Sequence, residues 1–247
     1  MKSILLLTAT FLLGAFQLNA QQITAPGVKW SDTYTFDRCN QMKVEFYASG
    51  NELMRTLQYK TWFNGSGKET QTTPGGLTVP KGNFSVTMDA PGKGSDMETI
   101  FDMANEVAIQ IFGSDAAEPM YNAGRFKFPE GEEIKKLDLV PADETRTIAG
   151  HTCKKYTYAF KKITGSVWIA SDVNLPNDFG IFRAAKMAAL HNTLTAGGFV
   201  MEMTTEDSRG GKTIMTTVSL ENSETHSVNL PKGKVGTAIN KVNFFTF

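Results

Sequence analysis

Asp102, Asp138, Asp172 and Glu221 fall on strands or strand ends, and two carboxylates facing each other across a cleft are what a glycosidase uses. Nothing in their spacing pairs them, so solvated or turn-capping carboxylates are the better reading. His151, His191 and His226 are the only histidines. No two stand at i, i+4 on a helix or in an H-x-H pattern, so no metal centre is expected. His151 adjoins the Gly150 turn and is expected to face solvent. A serine nucleophile would sit in a G-x-S-x-G elbow between strand and helix. Gly65-Ser66-Gly67 and Gly94-Ser95 lack that setting and read as flexible loop residues. No catalytic residue is assigned, no cofactor is expected, and the chain reads as non-enzymatic.

Cys39 and Cys153 lie 114 positions apart. Two readings stand open. They form one disulfide, whose long loop would contribute up to roughly 4 kcal/mol in the chain-entropy model, or they are two buried, inert thiols. No C-x-x-C is present, which argues against a catalytic thiol. Met97, Met103, Met187, Met201, Met203 and Met215 fall on patterned segments. Copper handling favours methionines clustered in flexible segments, so these read as pliable lining of a core or cavity. Phe244, Phe245 and Phe247 end the chain as a final packed strand or as a contact for a membrane or partner.

The elements that must position these residues are mostly strands, because alternation dominates the pattern. Tyr34, Phe36, Met42, Val44 and Phe46 share a parity that the polar Arg38 and Asn40 interrupt. Leu53, Leu57, Tyr59 and Phe63 form the return strand, interrupted by Arg55 and Thr61, across a Ser49-Gly50-Asn51 turn. Residues 64–82 and 113–133 read as long loops, with a short strand over Phe84, Val86 and Met88. Met97–Phe112 fits two short strands turning near Asn105, since Val107, Ile109 and Ile111 alternate and are β-branched. Thr145–Ile148 and His151–Phe160 flank an Ala149-Gly150 turn. A further strand, Ser166–Ala170, follows a turn at Thr164-Gly165. Pro176–Leu194 is the one strong helix, with Phe179, Phe182, Met187, Leu190 and Leu194 on or beside one face and Gly197-Gly198 as its stop. Phe199–Met203 and Ile214–Leu220 alternate after it, and the segment 224–230 can add a strand.

The count is roughly nine strands to one helix, joined mostly by hairpin-length connections. This predicts a mainly β (α+β) single domain, a curved antiparallel sheet or half-open barrel covered by a helix at about 177–194. The first twenty residues stand apart. Lys2, an apolar run from Ile4 to Phe16 and Ala20 follow the order of a signal peptide, and the run is too short to span a bilayer. A mature domain over 21–247 is therefore expected, periplasmic or secreted, with no lipid-attachment cysteine and no transmembrane segment. The whole chain has 25 basic and 25 acidic residues, and losing Lys2 leaves a net charge of −1. Such a balance argues against nucleic acid as a partner.

The segment from Glu144 through Ile148, Gly150, Cys153 and Tyr156, followed by Val167, Trp168, Ala170 and Asp172, carries an I-x-G-x-x-C-x-x-Y hairpin and a W-x-a-x-D strand. Thr99-Ile100-Phe101-Asp102 adds a short F-D strand upstream. In this order the pieces resemble an exported bacterial domain-of-unknown-function family. That family is similar in fold to the periplasmic lipoprotein carriers LolA and LolB, half-open barrels whose apolar cavity accepts acyl chains. The resemblance covers about Phe36 to Leu220.

The resulting expectation is an exported, non-enzymatic binding protein of the bacterial envelope. A lipid or other apolar molecule would lie in a groove between sheet and helix, lined by Tyr158, Trp168, Phe179, Phe182, Met187 and Leu190. Two alternatives are a structural or interaction protein of the envelope with a solid core and an envelope-protein partner, and a hydrolase with an unrecognised site.

Overall fold

The computed structural model describes residues 29–64, 70–72, 78–80, 82–89, 97–112, 120–125, 135–177, 182, 188–194, 197–221 and 225–230. Eleven strands form one sheet in the order β10-β11-β12-β13-β14-β2-β3-β6-β7-β8-β9, every neighbouring pair antiparallel. The strands are β2 (Arg38–Tyr47), β3 (Leu53–Phe63), β6 (Phe84–Asp89), β7 (Met97–Asp102), β8 (Val107–Phe112), β9 (Met120–Arg125), β10 (Val140–Ile148), β11 (His151–Phe160), β12 (Ile163–Ala170), β13 (Phe199–Asp207) and β14 (Lys212–Glu221). Two short pairs complete the set: β1 (Thr33–Phe36) with β15 (His226–Asn229), and β4 (Thr70–Thr72) with β5 (Thr78–Pro80). The sheet is not closed into a barrel, and the mainly β, antiparallel class expected from the sequence is what the chain adopts.

Turn chemistry explains the hairpins. Gly50 and Asn51 both take positive φ between β2 and β3, and Ala149 and Gly150 do so between β10 and β11. Paired positive φ values match the right-handed twist of the flanking strands. Between β11 and β12 the positive φ falls on Lys161, so the turn precedes Thr164-Gly165, which instead lie within β12. Gly165 is needed there for another reason. It pairs with Tyr158, whose ring lies across it to donate its hydroxyl to the Thr204 carbonyl at 3.0 Å. A β-carbon at position 165 would overlap that carbonyl and the phenol.

Alternation along the strands builds two apolar clusters. The larger holds Met42, Val44, Leu57, Tyr59, Phe63 and Phe101 from one half of the sheet with Ile148, Tyr158, Val167, Met203 and Met215 from the other. The smaller holds Cys39, Trp62, Ile100, Ile109 and Ala123, covered by Tyr34, Phe36 and Leu230. Cys39 and Trp62 are register partners, as are Ile100 and Ile109, so the two clusters occupy opposite faces of β2–β9. The face of the larger cluster is called the inner face below.

Of the expected helix, Phe182 and α1 (Ala188–Leu194) lie among the described residues. Asn177 brackets it: its amide donates to the Gly198 carbonyl, its side-chain oxygen accepts from Val200 N, and its own carbonyl meets His191 Nε2 at 3.1 Å. Thr193 Oγ1 accepts from Leu137 N at 2.6 Å, tying α1 to the segment before β10. Gly198, at φ 121°, sits against the Ala170 carbonyl where a side chain would not fit.

The loops read over 64–82 and 113–133 contain β4, β5 and β9, which lack an alternating apolar signal. The single long strand suggested by Tyr34 to Phe46 divides at Asp37, and its two pieces join different sheets. Residues 1–20, Phe179, Met187, Gly65-Ser66-Gly67, Gly94-Ser95 and Phe244 to Phe247 lie outside the described residues.

Candidate functional site

The carboxylates singled out by sequence do not converge. Asp102 is buried, accepts from Tyr34 Oη at 2.8 Å and caps the β7–β8 turn through Asn105 N and Nδ2. Burial pushes the Tyr34 phenol well above the usual tyrosine range. Glu221 accepts from Gln41 Nε2 at 2.6 Å. Asp172 is exposed and meets His151 Nδ1 at 2.8 Å, a hydrogen bond that lowers its carboxyl below the ordinary value. Asp138 is exposed before β10.

The histidines stay apart as well. His226 Nε2 lies 2.7 Å from Glu98 Oε1, and its ring stacks on Trp62 at 4.7 Å. Ser85 Oγ donates to the same Glu98 oxygen at 2.5 Å. The acid therefore stands between serine and histidine, whereas a nucleophilic serine needs the histidine directly against its hydroxyl. This constellation seats β15 on the sheet; it does not activate Ser85. Among the described residues no group of three or more His, Cys, Asp or Glu side chains could hold a metal ion.

Cys39 and Cys153 are both buried and lie in separate apolar clusters. Burial raises the Cys153 thiol above its ordinary pKa, which disfavours the reactive thiolate.

The described residues of the expected groove lie on both sides of β11 and β12. Tyr158 pairs with Gly165, and Trp168 pairs with Lys155 and Glu202. Positions 155 and 158 differ by three, so Tyr158 and Trp168 project to opposite sides of the sheet. Trp168 is capped by the Arg146 guanidinium 4.2 Å from its ring centroid, and Arg146 pairs with Glu202 at 2.5 Å. Phe182 and Leu190 pack in the larger cluster, with Phe182 edge-on to His191 at 5.5 Å. Tyr158, Trp168, Phe182 and Leu190 all belong to the larger cluster, which Trp168 joins from the other side of β12 under the Arg146 cap.

What the sequence reading passed over is the row of polar residues on the inner face. Asn40 pairs with Thr61, and Thr61 connects by register through Val86 to Thr99 and Gln110. Asn40, Thr61 and Thr99 are buried and Gln110 is half-buried. One row holds Phe63, Phe101 and Ala108; the row on the other side holds Met42, Tyr59, Met97 and Phe112. On β14, Thr217 pairs with Met42 and is buried on the same face. The signal was present in the alternation itself: Asn40 and Thr61 are the polar interruptions of two otherwise apolar rows.

No family model matches the chain, and no curated protein matches it in sequence. Among solved structures it is similar to PNGF-II at 12% identity and TM-score 0.39, over 76% of this chain and 28% of that one. It is similar to MucB in complex with MucA(peri) at 9% identity and TM-score 0.35, over 79% of this chain and 52% of that one. It is also similar to a DUF1329 family protein from Desulfovibrio piger ATCC 29098, at 11% identity and TM-score 0.27, over 79% and 87%. The chain spans less than a third of PNGF-II and about half of MucB. Likenesses this distant leave the function to the residues themselves. No helix among the described residues is long and apolar enough to cross a membrane.

Proposed function

We propose that the chain is an exported, non-enzymatic binding protein whose inner sheet face holds an apolar or amphipathic molecule, with α1 packed against that face. The observation that carries this reading is the inner cluster itself. It runs through both halves of an eleven-stranded sheet that remains open at β9 and β10, and it is lined by Met42, Met201, Met203 and Met215 beside Tyr59, Phe63 and Phe101. Unbranched methionines adapt to irregular apolar partners, and small-molecule sites are mostly apolar with a few placed polar groups. Export rests on the signal-peptide order of the first twenty residues.

Native mass spectrometry of the purified protein, followed by solvent extraction, tests this. A co-purifying lipid or other apolar molecule is the expected result. A protein that arrives empty and takes up no apolar probe would overturn the reading.

A further inference from the structure

Asn40 and Thr217 keep only 1% and 3% of their surface exposed, and neither Asn40 Oδ1 nor Thr217 Oγ1 has a hydrogen-bond partner. A buried polar atom left unmatched costs about 1–3 kcal/mol, so native interiors seldom keep one without a use. Here two stand on one face. Thr217 faces Met42 across the β14–β2 pairing, and Asn40 is the next residue on that side of β2, the diagonal position. Leu220, which pairs with Asn40, packs on the inner cluster and fixes the side to which Asn40 belongs.

From this geometry we infer that Asn40 and Thr217 hydrogen-bond the polar end of a neutral amphipathic ligand, such as an acylglycerol, whose chain lies along the Met42 and Tyr59 row. The inference deepens the binding function proposed above and rests on it.

Neutrality follows from the residue types. Around the pair, the inner-face positions Thr61, Thr99, Met42, Tyr59 and Leu220 are hydroxyl or apolar, and the one charge next to them is Arg38, two residues before Asn40 on β2. Of the charges on the inner-face rows of β2 and β3, Arg38 adjoins Asn40 and Arg55 stands toward the far end of the pairing. Arg38 gives its guanidinium to the Asn174 carbonyl at 3.4 Å, and Arg55 is exposed. An ionised phosphate or carboxylate buried among the remaining groups would lack the counter-charge that burial demands. A ligand hydroxyl can donate to Asn40 Oδ1 and accept from Thr217 Oγ1, whereas an ester carbonyl can accept only from Thr217 Oγ1.

The test uses the full chain and N-phenyl-1-naphthylamine fluorescence, with 1-monooleoylglycerol and oleate as competitors at a pH where oleate is ionised. Monooleoylglycerol should displace the dye about tenfold more effectively than oleate, the effect of two modest hydrogen bonds. In the double variant Asn40→Leu, Thr217→Val the dye should still bind, that preference should vanish, and Tm should rise because two unmatched polar atoms are gone. Thr217→Ser, which keeps the hydroxyl, should retain more of the preference than Thr217→Val. Dye bound but displaced equally by both competitors overturns this inference alone, as does a double variant that keeps the preference; the pair would then hold buried water. No dye binding by the wild-type chain overturns the binding function and this inference with it.

Discussion

His226 on β15 and Glu98 on β7, 128 residues apart, meet at 2.7 Å on the face of the sheet opposite the inner cluster. Glu98 also accepts from Ser85 and is buried, so one carboxylate joins three strands. Replacing Glu98 by leucine leaves His226 and Ser85 without their acceptor, and a loss of about 3 kcal/mol is expected. Urea unfolding measures it. Hydrogen exchange should show the amides of 33–36 and 226–229 opening before those of β2 and β3. Uniform exchange across the sheet would contradict a latch at this point.

Tyr158 and Gly165 form the second testable contact. Gly165→Ala places a methyl where the Thr204 carbonyl and the Tyr158 phenol already lie, and a cost of about 3 kcal/mol is expected. Burial pushes the Tyr158 hydroxyl up to about 12. Its folded pKa therefore exceeds the unfolded value of about 10. Its contribution to stability is complete below pH 10 and is lost as pH rises through 12. Spectrophotometric titration at 295 nm should show a late-ionising tyrosine that Tyr158→Phe removes.

The exposed Asp172–His151 pair acts at the other end of the scale. The hydrogen bond from His151 depresses the Asp172 carboxyl, so its small stabilising effect is present above the ordinary aspartate value and is lost as pH falls through the folded one. Carboxyl carbon chemical shifts should place the Asp172 midpoint below that of a model aspartate. In His151→Ala the midpoint should return toward it. An unchanged midpoint would remove this contact from the account.

Thiol counting decides the state of the cysteines. Protein purified without reductant should give essentially no reaction with Ellman's reagent while native, because both sulfurs are buried, and two equivalents after unfolding. Zero equivalents after unfolding would show a bridge between Cys39 and Cys153.

Where side chains alternate on a half-buried strand, the elements could be read from sequence: β2, β3, β7, β8, β13 and β14 carry an apolar row of period two. Where they do not, the elements were hidden. β4, β5 and β9 sit in segments rich in glycine and polar residues, and pairing to a neighbour, not propensity, makes them strands. The site was harder to see. Tyr158 and Trp168 both lie in the larger cluster, but only the β11–β12 register shows that three positions separate their levels, so that they approach it from opposite sides of the strands. Asn40 and Thr217, 177 positions apart, become neighbours through the pairing of β2 with β14, which no local spacing encodes.

That pairing has a kinetic consequence. Every other neighbour in the large sheet is a meander partner or is reached across an insertion of fewer than about thirty residues, so β14 against β2 is the one pairing in it that closes a loop of well over a hundred residues. The described ends meet as well, Leu230 N donating to the Asp32 carbonyl at 2.8 Å. A circular permutant joined at the old termini and opened between β9 and β10 would list its sheet strands in spatial order from one edge to the other. Its slowest step, the search of β14 for β2, would become a local one, and it should refold faster than the natural connectivity without changing a single side-chain contact.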